Sequence, residues 1–203
     1  MPRTKQRTPE LRDRVVEAAL DLLAESGAAG LTARSLATRA DTSPPAVYEL
    51  FGDKSGVVRA LYFEGFRRLS ARLTAPRESD DPVADLWALA AAYRSFIRSN
   101  RDLAEVMFSR PFADFAPGPE ELAATSSVRI LVVDRVRRCI DARRLQGDET
   151  DIAHVFVSLV QGLAFAEAAG RLGTSTESVE RRWRLGVAAL VSGVAAPPPR
   201  APR

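Results

Sequence analysis

Between Thr32 and Lys54 the chain gathers side chains that suit contact with a nucleic-acid duplex better than turnover of a small molecule. Arg34 can pair bidentately with a guanine edge or bridge two phosphate oxygens, with a solvated surface arginine as the plainer alternative. Tyr48 offers a hydroxyl for a phosphate and a ring for the sugar backbone, unless it is a core tyrosine. Pro44 and Pro45 remove two backbone donors from a helix start and present apolar faces suited to thymine methyls, although starting the helix would alone account for them. Glu49 can accept from cytosine, or repel phosphates and so sharpen selectivity. Lys54 stands in the first turn of a helix, where its ammonium opposes the dipole, so a phosphate partner explains it better than stability does.

No comparable set exists for catalysis. The one histidine, His154, has Asp151 and Glu149 nearby but no cysteine or carboxylate cluster at metal-ligand spacing. With no Gly-rich phosphate loop, no HExxH and no nucleophile beside a base, neither an enzyme activity nor a metal or cofactor is expected. Cys139 cannot form an intrachain disulfide; amid Arg135, Arg137, Arg138 and Arg143 it is either a redox-sensitive thiol or a buried small hydrophobe. The 203 residues, 46% apolar and 27% charged, describe an ordinary globular chain of one or two domains. The start MPRTKQRTPE has no apolar stretch, and runs such as VFVSLV fall far short of the roughly 18 residues of a membrane span, so a cytoplasmic protein without a membrane segment is expected. The net charge of +3 sits wholly in residues 1–73, with 12 basic against 9 acidic residues, while residues 74–203 balance at 17 each. Arg3, Lys5 and Arg7 form a basic arm able to enter a minor groove or to add nonspecific attraction.

The elements that must position these residues are helices. Thr8-Pro9-Glu10 caps a first helix whose Leu11, Val15, Ala19, Leu22 and Leu23 recur at helical spacing until Gly27. Thr32 caps a short second helix ending near Ala40; Asp41, tolerant of a left-handed conformation, and Ser43, a further cap, lead into a third that opens on Pro44-Pro45. Asp53 caps a fourth helix running to Arg72, and the polar segment Thr74–Pro82 reads as a hinge. A helix from Asp81-Pro82 to Asn100 follows, then a shorter one over Leu103–Phe108 and a proline-rich loop, Arg110–Pro119. Gly147 and the Gly170–Gly173 region divide the remainder into three long amphipathic pieces, the last with a capping box over Thr174-Ser175-Thr176-Glu177. No segment alternates with period two, so the class is all-α with about nine helices.

Three short helices with the turn Asp41-Thr42-Ser43 between the second and third match a helix-turn-helix. The run GLTARSLATRADTSPPAVYELFGDKSGVVRALY, Gly30–Tyr62, resembles the DNA-binding domain of TetR-family transcriptional regulators, and the likeness covers residues 8–73. Matching positions are Leu31-Thr32, Ala40, Ser43, Val47-Tyr48, Phe51 and Lys54. Two departures stand out: Asp41-Thr42 replaces Gly-Val and strains the turn, and Leu50 stands where His, Tyr or Asn usually touches a phosphate. The resemblance implies a ligand-responsive regulator, most simply a repressor, whose homodimer places two third helices in successive major grooves of a palindromic double-stranded operator. Thr32, Arg34, Ser43, Pro44, Pro45, Tyr48, Glu49 and Lys54 are then the DNA-contacting set.

It further implies that residues 1–73 form the DNA-binding domain with its linking fourth helix, that 74–196 form an effector-binding and dimerisation domain, and that 197–203 are a disordered tail. Pairing through the last two long helices agrees with Val155, Leu159, Gly162, Ala166, Leu185, Ala189 and Val194, small or aliphatic positions that permit close approach. The second half looks like a subtype whose late helix carries Trp-x-x-x-His-Gly, of which Val157, Gln161 and Gly162 retain only the glycine. Trp87, Tyr93, Phe96, Met107, Phe108, Phe112, Phe156, Gln161 and Phe165 are the candidate lining of a largely apolar effector pocket, most of them serving equally well as core. Two other classes trail: an all-α enzyme, and a nonspecific nucleic-acid binder, which a charge of only +1 over residues 1–60 argues against.

Overall fold

The computed structural model describes residues 8–109 and 115–197. Nine α-helices and no strand occur among them, as the periodicity predicts. Helix α1 (Pro9–Ser26) starts as its sequence requires: Thr8 Oγ1 accepts from the Leu11 amide at 3.3 Å, Pro9 fills the first position, and Leu11, Val15, Ala18, Ala19, Leu22 and Leu23 bury one face. A 3-10 turn, Gly27–Gly30, leads to α2 (Ala33–Arg39), α3 (Pro44–Phe51) and α4 (Lys54–Thr74). Then come α5 (Pro82–Ser99), α6 (Arg101–Phe108), α7 (Pro119–Asp141), α8 (Glu149–Ala168) and α9 (Thr176–Gly193).

These helices group into two compact units that are not simply the two ends of the chain. One holds the residues up to Arg68 together with Asn100–Ala124; the other holds Leu69–Ser99 and the residues from Thr125 onward. In the first unit α6 packs on α1, and it also lies so close to α4 that a Cβ on Gly65 would stand 2.5 Å from the Met107 sulfur. Phe66 and Phe108 meet edge to face at 5.6 Å in the same unit. In the second unit α8 packs between its contacts with α5 and α9.

Several local expectations need correction. The capping box of α9 is one residue later than its sequence suggests: Ser175 is the cap, and Ser178 and Ser175 exchange side-chain and backbone hydrogen bonds, because a serine three residues on can fill the role expected of Glu177. The segment Thr74–Pro82 is clasped rather than loose. The Asp85 carboxylate accepts from the Ser79 amide (3.1 Å) and hydroxyl (2.7 Å) and from Arg138 (2.6 Å), Arg138 also donates to the Ser79 carbonyl, and buried Arg135 pairs with Glu78. Ahead of the expected tail, residues 194–196 are held: the Gln146 amide donates to the Val194 carbonyl (2.8 Å) and the Ala196 amide to the Arg144 carbonyl (3.0 Å). Most of the expected tail, 198–203, lies outside the described residues, as does the arm Arg3, Lys5 and Arg7. By length and composition α8 would suffice to cross a membrane, with a mean hydropathy of 1.3; counting uninterrupted apolar runs misses it because Ser158, Gln161 and Gly162 interrupt its aliphatic residues without adding charge.

Candidate nucleic-acid interface

The α2–α3 pair is built from short-range rules. Thr32 Oγ1 accepts from the Ser35 amide at 3.1 Å while Ser35 Oγ accepts from the Thr32 amide, a reciprocal cap that starts the seven-residue α2. Its end closes through the Ala40 amide on the Leu36 carbonyl (2.9 Å) and the Thr42 amide on the Ala37 carbonyl (2.8 Å), which requires Asp41 in the left-handed region at φ 49°. Leu36 and Ala37 of α2, with Ala46 and Val47 of α3, form the buried seam of the pair. Arg39 ties α2 to α1 through Glu25, at 2.5 and 2.9 Å.

Ser43 occupies the cap position of α3, yet its hydroxyl makes no capping bond. Pro44 and Pro45 have no N–H to offer, and the next donor, the Ala46 amide, is taken by the Ser43 carbonyl at 3.0 Å. The prolines start this helix, and the serine side chain is left to other partners.

Burying Ala46, Val47 and Phe51 turns the opposite face of α3 outward, so Pro44, Pro45, Tyr48 and Glu49 are all exposed. Tyr48 is 55% exposed, which sets aside the core-tyrosine reading. Arg34 is exposed at the start of α2 and has no ion pair among the described residues. Thr32, Tyr48 and Lys54 come together around one concavity of about 270 Å³ floored by Leu36 and Val47. Lys54 is exposed, with Nζ 3.3 Å from the Ala28 carbonyl oxygen that it donates to. At the α3–α4 turn the Asp53 carboxylate accepts from the Gly56 amide at 2.9 Å. Gly56 is a positioning residue that sequence reasoning missed: a Cβ there would lie 1.7 Å from the Phe51 carbonyl oxygen, so only glycine lets α4 leave α3 at this angle. Its position three residues after the capping Asp53 was the available signal.

The candidate effector residues belong to both units. Tyr93, Phe96 and Phe156 are buried in the second unit, Trp87 and Phe165 are half-buried there, and the Tyr93 hydroxyl donates to Gln161 Oε1 at 3.2 Å. Burial raises the Tyr93 pKa, so the phenol stays protonated as a donor. Met107 and Phe108 belong to the first unit, and Phe112 lies outside the described residues. Sequence reasoning also missed a half-buried network in which Arg94 pairs with Glu167 (2.6 Å) and Glu180 (2.6 Å), stacks at 4.9 Å over Trp183, and shares Glu167 with the Trp183 indole N–H (2.7 Å). These groups stand far apart in the chain and carry no local signature.

Cys139 is fully buried, its thiol donates to the Pro82 carbonyl at 3.2 Å, and burial pushes its pKa up to about 11, so it behaves as a small core residue rather than a reactive thiol. His154 is exposed, its Nδ1 2.7 Å from the Thr150 carbonyl oxygen. On α8 and α9, Val155 (54% exposed) and Leu185 (67% exposed) leave apolar surface uncovered beside Gly162 and Ala189.

Comparison with known proteins agrees with this geometry. Residues 15–61, which contain every candidate DNA-contacting residue, match the family described as bacterial regulatory proteins, tetR family. Residues 86–190, more than half the chain, match the tetracyclin repressor-like C-terminal domain. Among curated proteins, the class A tetracycline repressor from transposon 1721 of Escherichia coli is 35% identical over 118 residues, covering 58% of this chain and 52% of the repressor. The class C repressor of Escherichia coli is 34% identical over 95 residues, covering 47% and 43%. The chain thus spans about half the length of these curated relatives. A solved structure of a protein of unknown function from Rhodococcus sp. RHA1 is 28% identical, with a TM-score of 0.79 over 95% of this chain and 99% of that one. The chain belongs to the TetR family of bacterial regulatory proteins.

Proposed function

We propose that the protein is a ligand-responsive, sequence-specific DNA-binding transcriptional regulator, a cytoplasmic repressor without enzymatic activity that acts as a homodimer on a palindromic operator. The observation that carries this reading is the exposed face of α3, where Pro44, Pro45, Tyr48 and Glu49 stand clear of the core with Arg34 beside them at the start of α2. In this reading α3 enters the major groove; Arg34, the prolines and Glu49 meet base edges, while Thr32, Ser43, Tyr48 and Lys54 hold phosphates. Residues 1–73 carry out DNA binding and 74–196 effector binding and dimerisation, with a largely apolar effector. The uncovered apolar positions of α8 and α9 support self-association through those helices. An effector shifts DNA affinity only by its differential affinity for two conformations of the dimer.

The test is selection of bound duplexes from a random pool at near-physiological salt, followed by sequencing. An enriched inverted repeat, lost with Tyr48→Ala and Lys54→Ala, is the expected result. A folded wild-type protein that enriches no sequence, or variants that bind as wild type, would overturn it. Weak binding of every duplex with unchanged salt dependence would instead favour the nonspecific reading.

A further inference from the structure

The α3–α4 turn has a second cleft on its other side, and nothing in the proposed operator contact uses it. This cleft, of about 440 Å³, is lined by Arg12 of α1, Leu50 and Phe51 of α3, Asp53, Arg59 of α4 and Phe115. It adjoins the concavity of Thr32, Tyr48 and Lys54, since Asp53 borders both. Two guanidinium groups face it. Arg59 is fixed by an ion pair at 2.6 Å with Glu121, itself 1% exposed and also accepting from the Gly118 amide at 2.8 Å, so its positive charge is already balanced. Arg12 differs: its guanidinium lies 5.0 Å over the Phe51 ring, it is exposed, and it has no carboxylate partner among the described residues.

An arginine stacked on an aromatic face has part of its side-chain freedom already restricted, while its in-plane N–H donors remain available to an oxyanion. Leu50, at the rim of the same cleft, has no side-chain donor. Asp53 is the carboxylate that lines the cleft, and one of its oxygens is engaged by the Gly56 amide at the start of α4. A DNA strand carries a phosphate for about every 3.4 Å of helix axis, so a strand gripped by Tyr48 and Lys54 on one side of the turn has further phosphates to offer the other side. We infer that Arg12, stacked on Phe51 and without a carboxylate partner among the described residues, binds a DNA backbone phosphate in this cleft. The inference rests on the DNA-binding reading above.

The experiment compares wild type, Arg12→Gln, Arg12→Lys and Lys54→Ala on the duplex that the wild-type protein itself selects, measuring Kd from roughly 0.05 to 0.3 M salt, the range over which counterion release is steep. Arg12→Gln removes the charge together with the guanidinium that lies over Phe51, and keeps a polar side chain on α1. It is expected to weaken binding roughly tenfold for each bound protomer, the size of one charge-assisted hydrogen bond. The slope of log Kobs against log salt should fall by about 0.9 for each bound protomer, and Arg12→Lys should retain the wild-type slope. Thermal melting close to wild type for Arg12→Gln separates this loss from a folding defect. If Lys54→Ala loses slope and Arg12→Gln does not, the phosphate contact is wrong and the DNA-binding reading stands. If the wild-type protein selects no duplex, both fall.

Discussion

Thr42 carries a buried hydroxyl whose Oγ1 has no hydrogen-bond partner among the described residues. Such an atom loses its water on folding and gains nothing in return, a cost of about 1–3 kcal/mol. Thr42→Val replaces the hydroxyl by a methyl group of similar size, and the expected result is a gain of about 1 kcal/mol, read as a rise in Tm of about 2–4 °C. A lower Tm would mean that the hydroxyl does have a partner in solution. The neighbouring Asp41 was legible from its type alone, since aspartate tolerates the left-handed region it occupies at φ 49°. The state of Thr42 was not, because whether a threonine side chain is satisfied depends on which donors the fold places around it.

Helix starts separate what spacing reveals from what it hides. Thr8, Thr32 and Asp53 cap where the sequence places them, because the bond partner is two or three residues away and the geometry is local. Ser43 holds the equivalent position with a hydroxyl of its own, yet the two prolines after it remove two of the amides it could accept from, and the Ala46 amide donates to the Ser43 carbonyl instead. The two sites therefore predict different costs: Thr32→Ala is expected to lower stability by about 1 kcal/mol, and Ser43→Ala by no more than a few tenths, in urea unfolding followed by circular dichroism. Equal losses would show that the Ser43 hydroxyl caps α3 after all. In the operator assay both variants should weaken DNA binding, Ser43→Ala without a stability change because its hydroxyl is used by a phosphate and not by the helix. Networks between helices distant in sequence were illegible throughout. Arg94 with Glu167 and Trp183, and Arg138 with Asp85 and Ser79, join residues too far apart in the chain for spacing to pair them.

At the scale of the molecule, those same networks govern how stability depends on pH. Burial alone would raise the pKa of Asp85 and of Glu167, but the hydrogen bonds from Ser79 and Arg138 to the first, and from Arg94 and Trp183 to the second, outweigh it and hold both below the ordinary carboxylate range. A carboxylate with a depressed folded-state pKa contributes stability that is fully present above its unfolded pKa, near 4, and is lost as the pH falls through the lower folded value. Tm should therefore be flat above about pH 5.5 and fall below about pH 4, with Glu167→Gln less stable at neutral pH but shallower in its acid decline. An equally steep decline in Glu167→Gln would remove this group from the account.

The uncovered faces of α8 and α9 set the remaining expectation. Leu185 and Val155 are large apolar side chains left more than half exposed on two of the longer helices, whereas residues of the same type on the core side of α8, such as Ile152 and Val160, are buried. A helix that is apolar on both sides needs a second partner, which the described residues do not supply. If that partner is another copy, a two-fold contact repeats each substitution, so one Leu185→Arg change inserts two guanidinium groups into the dimer at a cost on the order of several kcal/mol each when unpaired. Sedimentation at micromolar concentration should then show a dimer for the wild-type protein and a monomer with unchanged helical circular dichroism for Leu185→Arg. Operator affinity should fall with it, since two half-sites bound separately forgo the effective concentration that one dimer provides. A Leu185→Arg protein that still sediments as a dimer would place the contact elsewhere, and a monomeric wild type would leave the apolarity of α8 to be explained by a different partner.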